Sequence, residues 1–402
     1  MSFQYYGDNS YFYTMINRKL TKQLVSFIGK FPVIGIVGPR QVGKTTLVKS
    51  ILHIIEKETI YLDLESPEDF NKLLDAELFL KGFEDCTVVI DEVQRKPELF
   101  PILRSLVDRK RLSGRFILLG SASPDLIRDS SESLAGRIVY LELNPFDIIE
   151  LRDNCTIEHL WLKGGFPNAV LEDNDDISIQ WMQSFIKTYI ERDLPLLGFK
   201  APVQSTEKLW TMLAHTNGNL LNYSQISGSL GVSSNTVKSY IQFFEKSFLI
   251  RALPPFFLNT KKRLVKSPKL YFRDTGILHH MLRVFDLNDL FGHPGIGNSW
   301  ESFVIQQIIN CLPIGFDTHF YRTQDGSELD LVISKGIQIV AGVEIKYSNS
   351  PGLSRGNILA IETLKSQSNF IITPSSGDFP IKTNVQVCNL ERFIHHYLPQ
   401  LL

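Results

Sequence analysis

Cysteine is scarce in this 402-residue chain: Cys86, Cys155, Cys311 and Cys388 are its only four, and none stands in a C-x-x-C pair. That scatter argues against a disulfide framework or a zinc ribbon and fits a reducing cytosol, where the protein is expected to reside. Long apolar runs are missing as well. None approaches the ~18 residues of a membrane-spanning helix, so no membrane partner is expected. Residues 1–10 are polar and aromatic with no apolar core, unlike a signal peptide. Nor is charge of one sign in excess: 42 Lys and Arg against 43 Asp and Glu leave a formal net charge of -1. The chain is no polycation, and any surface for nucleic acid has to be local. The adjacent histidines His279-His280 and His395-His396 would point apart on a helix, which argues against a shared metal.

Against this plain background one stretch is specific. Gly38-Pro39-Arg40-Gln41-Val42-Gly43-Lys44-Thr45 satisfies G-x-x-x-x-G-K-[ST] at every fixed position, and Thr46 follows it. A triphosphate is held by inward-facing N–H groups at a helix N-terminus, free of side-chain bulk. Gly38 and Gly43 permit that loop. Lys44 would reach the β- and γ-phosphates, and the Thr45 hydroxyl would ligate Mg2+. Downstream, Val88-Val89-Ile90-Asp91-Glu92 is an apolar run ending in two carboxylates. Asp91 would hold the same Mg2+ through water, and Glu92 would activate the attacking water. ATP (or GTP) and Mg2+ are the expected cofactors.

Strand and helix signals alternate through the first part of the chain. Residues 33–37, 59–63, 87–90, 116–119 and 138–143 read as strands, 17–28 and 99–109 as helices, and a further helix opens near Lys44. Alternation of this kind implies an α/β class with a parallel, doubly wound sheet. Ser121, after the fourth strand, is either a γ-phosphate sensor or an ordinary turn serine, and the same holds for Ser123. Arg137 is either an arginine that stabilises transition-state charge, in cis or from a neighbouring copy, or a surface residue; Arg192 is a second candidate. The expected divisions are an N-terminal helical segment (1–30), the phosphate-loop domain (31–150), a helical linker or lid (151–203), a helix-turn-helix region (204–272) and a C-terminal domain (273–402).

The loop, Asp91-Glu92, Gly120-Ser121, Ser133-Leu134-Ala135-Gly136-Arg137, Gly164-Gly165-Phe166-Pro167, Arg192-Asp193 and Ser267-Pro268-Lys269-Leu270-Tyr271-Phe272 together resemble a family of prokaryotic AAA+-like P-loop ATPases. That family carries a C-terminal domain of uncharacterised function. The resemblance runs from about residue 17 to about residue 346. It implies ATP binding and hydrolysis. The chain lacks a clear helical lid with a second sensor arginine, which leaves ring assembly with other copies of itself open.

In the middle, Leu230-Gly231-Val232-Ser233 falls between two short helical patterns. Ile226 and Leu230 would bury the first helix, Gly231 would permit the turn, Ser233 would cap the second helix, and Val237 and Ile241 would continue its buried face. The pattern resembles a winged helix-turn-helix. Lys238 on the second helix, with Lys261, Lys262, Arg263, Lys266 and Lys269 beyond it, could grip DNA phosphates. A packing module with a solvated basic turn is the alternative.

The C-terminal pattern is a helix (298–311), three strands, a helix, two strands and a helix. Glu301 lies on the first helix and Asp330 on the strand 328–333. Glu344 and Lys346 end the hairpin partner 339–345 and face one way because strand side chains alternate. Two carboxylates holding Mg2+ beside a lysine can cleave a phosphodiester. The order resembles the PD-(D/E)xK nuclease core, either active or kept for binding. Three functions follow as expectations: an ATPase coupled to a nucleic-acid transaction, an ATP-gated metal-dependent nuclease, and a nucleotide-controlled switch that binds a protein.

Overall fold

The computed structural model describes residues 16–121, 134–257, 264–374 and 377–402. Apolar runs build its first sheet: β1 (Val33–Gly38), β2 (Thr59–Asp63), β3 (Thr87–Asp91), β4 (Phe116–Ser121) and β5 (Ile138–Glu142). The strands are parallel in the order β2-β3-β4-β1-β5. β1, β3 and β4 are buried throughout, while the edge strands β2 and β5 are half-buried. That gradient is what a parallel sheet covered on both faces requires. Leu24, Leu47, Val48 and Ile51 pack one face; Leu99, Phe100, Leu103 and Leu106 pack the other. The register pairs Gly38 with Ser121 across β1 and β4, so the ends of β1, β3 and β4 share one edge of the sheet.

The middle is helical. Helices Ile157–Lys163, Asp175–Thr188, Val203–Thr216, Tyr223–Leu230 and Ser234–Lys246 precede a two-stranded hairpin of β6 (Ile250–Leu253) and β7 (Lys269–Phe272). The helix Asp175–Thr188 runs on through a wider turn at Tyr189–Asp193, where the Leu194 N–H reaches the Tyr189 carbonyl. Gly231 takes φ +67 behind Leu230, and the Ser233 side chain accepts from the Thr236 N–H. Ile226, Val237 and Ile241 are buried. Phe185, Trp210, Phe244 and Phe272 belong to the core beneath them.

A six-stranded mixed sheet closes the chain. β8 (Asp317–Arg322), β9 (Glu328–Lys335), β10 (Gln338–Ile345), β11 (Asn369–Thr373), β12 (Phe379–Lys382) and β13 (Val385–Asn389) lie in the order β12-β13-β11-β10-β9-β8. Helices Ile296–Cys311 and Arg355–Leu364 accompany it. Three strands follow the second helix rather than the two expected. The extra strand, β12, pairs only with β13, contains Pro380 and buries almost nothing, so it carries no apolar signature.

Packing crosses the expected divisions. Phe146, Ile148, Leu160 and Trp161 share a core with Phe303, Val304 and Ile333 of the C-terminal sheet. Gly164 and Gly165 make the join close. A Cβ on Gly165 would stand 2.2 Å from the Phe146 carbonyl oxygen, and one on Gly164, at φ +74, would stand 2.2 Å from Asp274 Oδ1. The Gly165 N–H donates to Asp274 Oδ2 at 2.7 Å.

Candidate functional site

The phosphate loop spans the end of β1 and the start of helix Lys44–Ile51. Gly38 (φ +152) and Gly43 (φ +95) take conformations that L side chains rarely adopt, and a Cβ on Gly38 would meet the Leu143 carbonyl oxygen at 2.2 Å. Pro39 and Val42 are buried, while Gln41 and Thr46 are exposed. Lys44 is only 6% exposed, and its ammonium donates to the carbonyls of Gly38 at 3.0 Å and Pro39 at 2.9 Å. Burial pulls it down to about 8, against the opposing charges of Glu92 and Asp91.

The Thr45 hydroxyl donates to Asp91 Oδ2 at 2.6 Å, and the Tyr61 hydroxyl donates to the same oxygen at 2.5 Å. Asp91 Oδ1 accepts the Glu92 N–H at 2.9 Å. Glu92 has a positive φ of 54°. Its carboxylate accepts from the Gln94 amide and lies 3.3 and 3.4 Å from Ser121 Oγ. Burial raises its pKa, with Lys44 working the other way. A cavity of about 230 Å3 opens in front, lined by Arg40, Glu92, Gln94, Ser121, Asp193 and Leu196. A hydroxyl and a carboxylate in contact, beside a buried lysine on a glycine-permitted loop, are a donor set that suits a magnesium-bound triphosphate.

Several arginines meet this region. Arg40 donates from Nη1 to Asp193 Oδ1 at 2.7 Å and from Nη2 to Glu65 Oε1 at 2.9 Å, tying the loop to the wider helical turn. Arg18 donates to the Val42 carbonyl at 3.0 Å, pairs with Glu150 at 3.1 Å and stands over the Phe146 ring. Arg273 donates to Glu142 and, at 2.5 Å, to Asn144 Oδ1, at the end of β5 beside the loop. Arg192 is over half exposed and contacts Asp193 at 3.1 Å. Arg137 lies elsewhere. It precedes Ile138, which pairs with Val33 at the opposite edge of the sheet, and it is bound to Asp108 at 2.6 Å. Within one chain it does not reach the loop. Ser123 lies outside the described residues.

Sequence reasoning overlooked Tyr61, Gln94, Arg18 and Arg273. Gln94 is close in sequence to Glu92. The others become neighbours only through strand order and through packing between distant segments.

A second cluster forms on the C-terminal sheet. Lys269 Nζ stands 3.1 Å from Glu301, 2.9 Å from Glu328 and 3.2 Å from Asp330. The Tyr271 hydroxyl donates to Glu301 Oε1 at 2.5 Å, and the Ile345 N–H donates to Asp330 Oδ2 at 3.0 Å. Lys346 Nζ pairs with Glu344 at 2.5 Å. Burial pushes Glu301 up to about 7 and Glu344 up to about 8, and the nearby Asp330 adds to both. The structure therefore brings Glu301, Asp330, Glu344 and Lys346 together.

The basic cluster needs a correction. Lys269 is 3% exposed and faces carboxylates, so it offers nothing to DNA phosphates. Strand alternation puts Lys269 and Tyr271 on one face of β7, and the sequence could have shown that much. Lys238 and Lys266 are exposed; Lys261, Lys262 and Arg263 lie outside the described residues. Among the described residues no helix is long and apolar enough to cross a membrane.

Family models match three consecutive parts of the chain: an AAA domain over residues 30–152, a domain of unknown function (DUF8612) over 155–288 and another (DUF4143) over 296–393. Uncharacterized protein Rv2008c of Mycobacterium tuberculosis is 37% identical over 368 residues, covering 92% of this chain and 82% of its own. Uncharacterized protein Mb2031c of Mycobacterium bovis matches with the same figures. The solved Walker-type ATPase paby2304 of Pyrococcus abyssi aligns at 15% identity and a TM-score of 0.48, over 67% of this chain and 96% of that one. The chain belongs to the same family as the two mycobacterial proteins, and in it an AAA domain is joined to domains of unknown function.

Proposed function

We propose that this protein binds ATP with Mg2+ and hydrolyses it, and that turnover is coupled to a transaction on nucleic acid in the cytosol. One observation carries the ATPase reading: Thr45 and Asp91 touch at 2.6 Å while Glu92 follows on the same strand end beside Ser121. The inserted position of β4 between β1 and β3 supports it, because that order leaves room for Glu92 and Ser121 to flank a terminal phosphate.

The backbone N–H groups from Gly38 to Thr45 would cradle the phosphates. Lys44 would exchange the Gly38 and Pro39 carbonyls for phosphate oxygens, and Thr45 and Asp91 would hold the metal. Bound Mg2+ would supply neutralisation of the phosphate charge. Glu92 would accept a proton from the attacking water, a role that its raised pKa favours. Gln94 occupies Oε2, which leaves Oε1 for that proton. Ser121 would exchange Glu92 for a phosphate oxygen. Arg137, far from the loop within one chain, would act only from a second copy, which makes a homo-oligomer part of this reading.

The coupling to DNA rests on the exposed Lys238 and Lys266 beside a short helix-turn-helix arrangement. ATP turnover measured with and without single-stranded, duplex and branched DNA tests it. Stimulation by one form supports the coupling; equal rates throughout would favour a switch that binds a protein instead. A metal-dependent nuclease is a second reading, favoured by the convergence of Glu301, Asp330, Glu344 and Lys346. Asp330→Ala or Lys346→Ala should then stop Mg2+-dependent cleavage and spare ATP turnover; no cleavage of any DNA or RNA by the wild type removes it.

A further inference from the structure

Lys269 stands where the carboxylates of the C-terminal sheet converge. Its ammonium meets one oxygen each of Glu301, Glu328 and Asp330 at 2.9 to 3.2 Å, which matches its three protons. The oxygens come from helix Ile296–Cys311 and from β9, whereas the lysine comes from β7 of the middle hairpin. A hard divalent cation takes the same kind of oxygens, drawn in to about 2.0–2.6 Å. It cannot share that point with an ammonium, because two positive charges so close in a poorly screened interior repel strongly.

The side chain has no easy exit. Lys269 pairs with Leu253 in β6, and the Leu221 N–H donates to the Pro268 carbonyl at 2.9 Å, so backbone on both sides holds it. It leaves the carboxylates by a shift of β7 or by swinging its side chain, only 4% exposed, away from all three partners. One acceptor in the centre is left open meanwhile. Glu344 is 3% exposed, and its Oε2 has no hydrogen-bond partner, although Asp330 and Glu301 are near enough for their charges to act on it. Lys346 answers only the other oxygen. Glu344 Oε2 is thus a buried acceptor that the ammonium does not serve.

We infer that Lys269 is a built-in counter-cation occupying the divalent-cation position of the C-terminal acidic centre. Glu301, Asp330 and Glu344 bind Mg2+ or Mn2+ only once Lys269 is withdrawn. The inference shares its residues with the nuclease reading but requires no cleavage.

Mn2+ titrated into the full-length, nucleotide-free protein, with the free ion followed by electron paramagnetic resonance, tests it. The wild type should show no site that Asp330→Asn removes. Lys269→Met should gain one, at least tenfold tighter than any binding by the wild type, and adding Asp330→Asn should abolish it. If Lys269→Met does not fold, Lys269→Gln carries the same comparison, and the wild type against Asp330→Asn stands without either. A wild-type Mn2+ site lost in Asp330→Asn overturns the inference, as does a folded Lys269 variant that gains no site. A protein that passes this test yet cleaves nothing would sink the nuclease reading alone.

Discussion

Arg40 Nη1 lies 2.7 Å from Asp193 Oδ1, so a variable position of the phosphate loop is bonded to the helical middle. The pair is largely buried, and its loss frees the loop on one side. Arg40→Ala should lower stability by roughly 1.5–3 kcal/mol, the usual worth of a hydrogen bond to a charged group. It should also weaken ATP binding. Denaturant unfolding and nucleotide titration check both; an unchanged ATP affinity would show that the pair is only structural.

Lys44 and Glu92 are assigned different steps, and substitution should separate them. Lys44→Ala should abolish ATP binding and turnover. Glu92→Gln keeps the shape of the side chain but cannot take a proton, so it should bind ATP and lower turnover at least a hundredfold. Turnover near the wild-type rate in both variants would remove Glu92 and Lys44 from the reaction.

The buried ammonium of Lys44 titrates near 8. Above that pH the empty loop loses its positive charge, and nucleotide binding must restore the proton. ATP affinity should fall by up to about tenfold per pH unit above 8. Lys44→Arg, if it still binds, should flatten the profile because guanidinium stays charged. Calorimetric titration between pH 7 and 9 reads the difference.

His279 gives the stability a pH dependence of its own. It is fully buried and held between the Leu162 carbonyl at 2.9 Å and Ser299 Oγ at 2.6 Å, and burial lowers it to about 4. A depressed value in the folded state means stability that is present above 6.5 and lost as pH falls towards 4. The loss is about 3 kcal/mol across that window. Thermal unfolding at pH 7 and pH 5 should show it, and His279→Gln should shrink the difference.

Much of the first site was legible because its pieces are local. The loop is contiguous, Asp91 and Glu92 end an apolar strand, and both lie where β1 and β3 deliver them. The order of the strands was not written in any segment, so Tyr61 gave no sign that it would reach Asp91. The same holds more strongly for Lys269. Read along the chain it belonged with Lys266 and Arg263. Only the pairing of β6 with β7 turns it inward, towards carboxylates that follow 32 and 61 residues later. That Glu344 and Lys346 share a face was readable from strand alternation; the cation among the carboxylates was not.

Gly165 offers a steric test of the close join between the middle and the segment that follows β5. A methyl group there would be 2.2 Å from the Phe146 oxygen, with backbone rather than a movable side chain in the way. Gly165→Ala should cost about 2–4 kcal/mol. A fall in unfolding midpoint no larger than that of an exposed Gly→Ala change, such as Gly292→Ala, would show that the backbone gives way.

The reach of β7 also bears on the order of events during synthesis. Lys269 emerges from the ribosome before Glu301, Glu328 and Asp330, so its counter-charges do not yet exist when the hairpin with β6 could close. A buried ammonium without carboxylates is costly, and the hairpin stays unsettled until the chain has been made as far as β9. Final seating of the β6–β7 hairpin is therefore expected to wait for the C-terminal sheet.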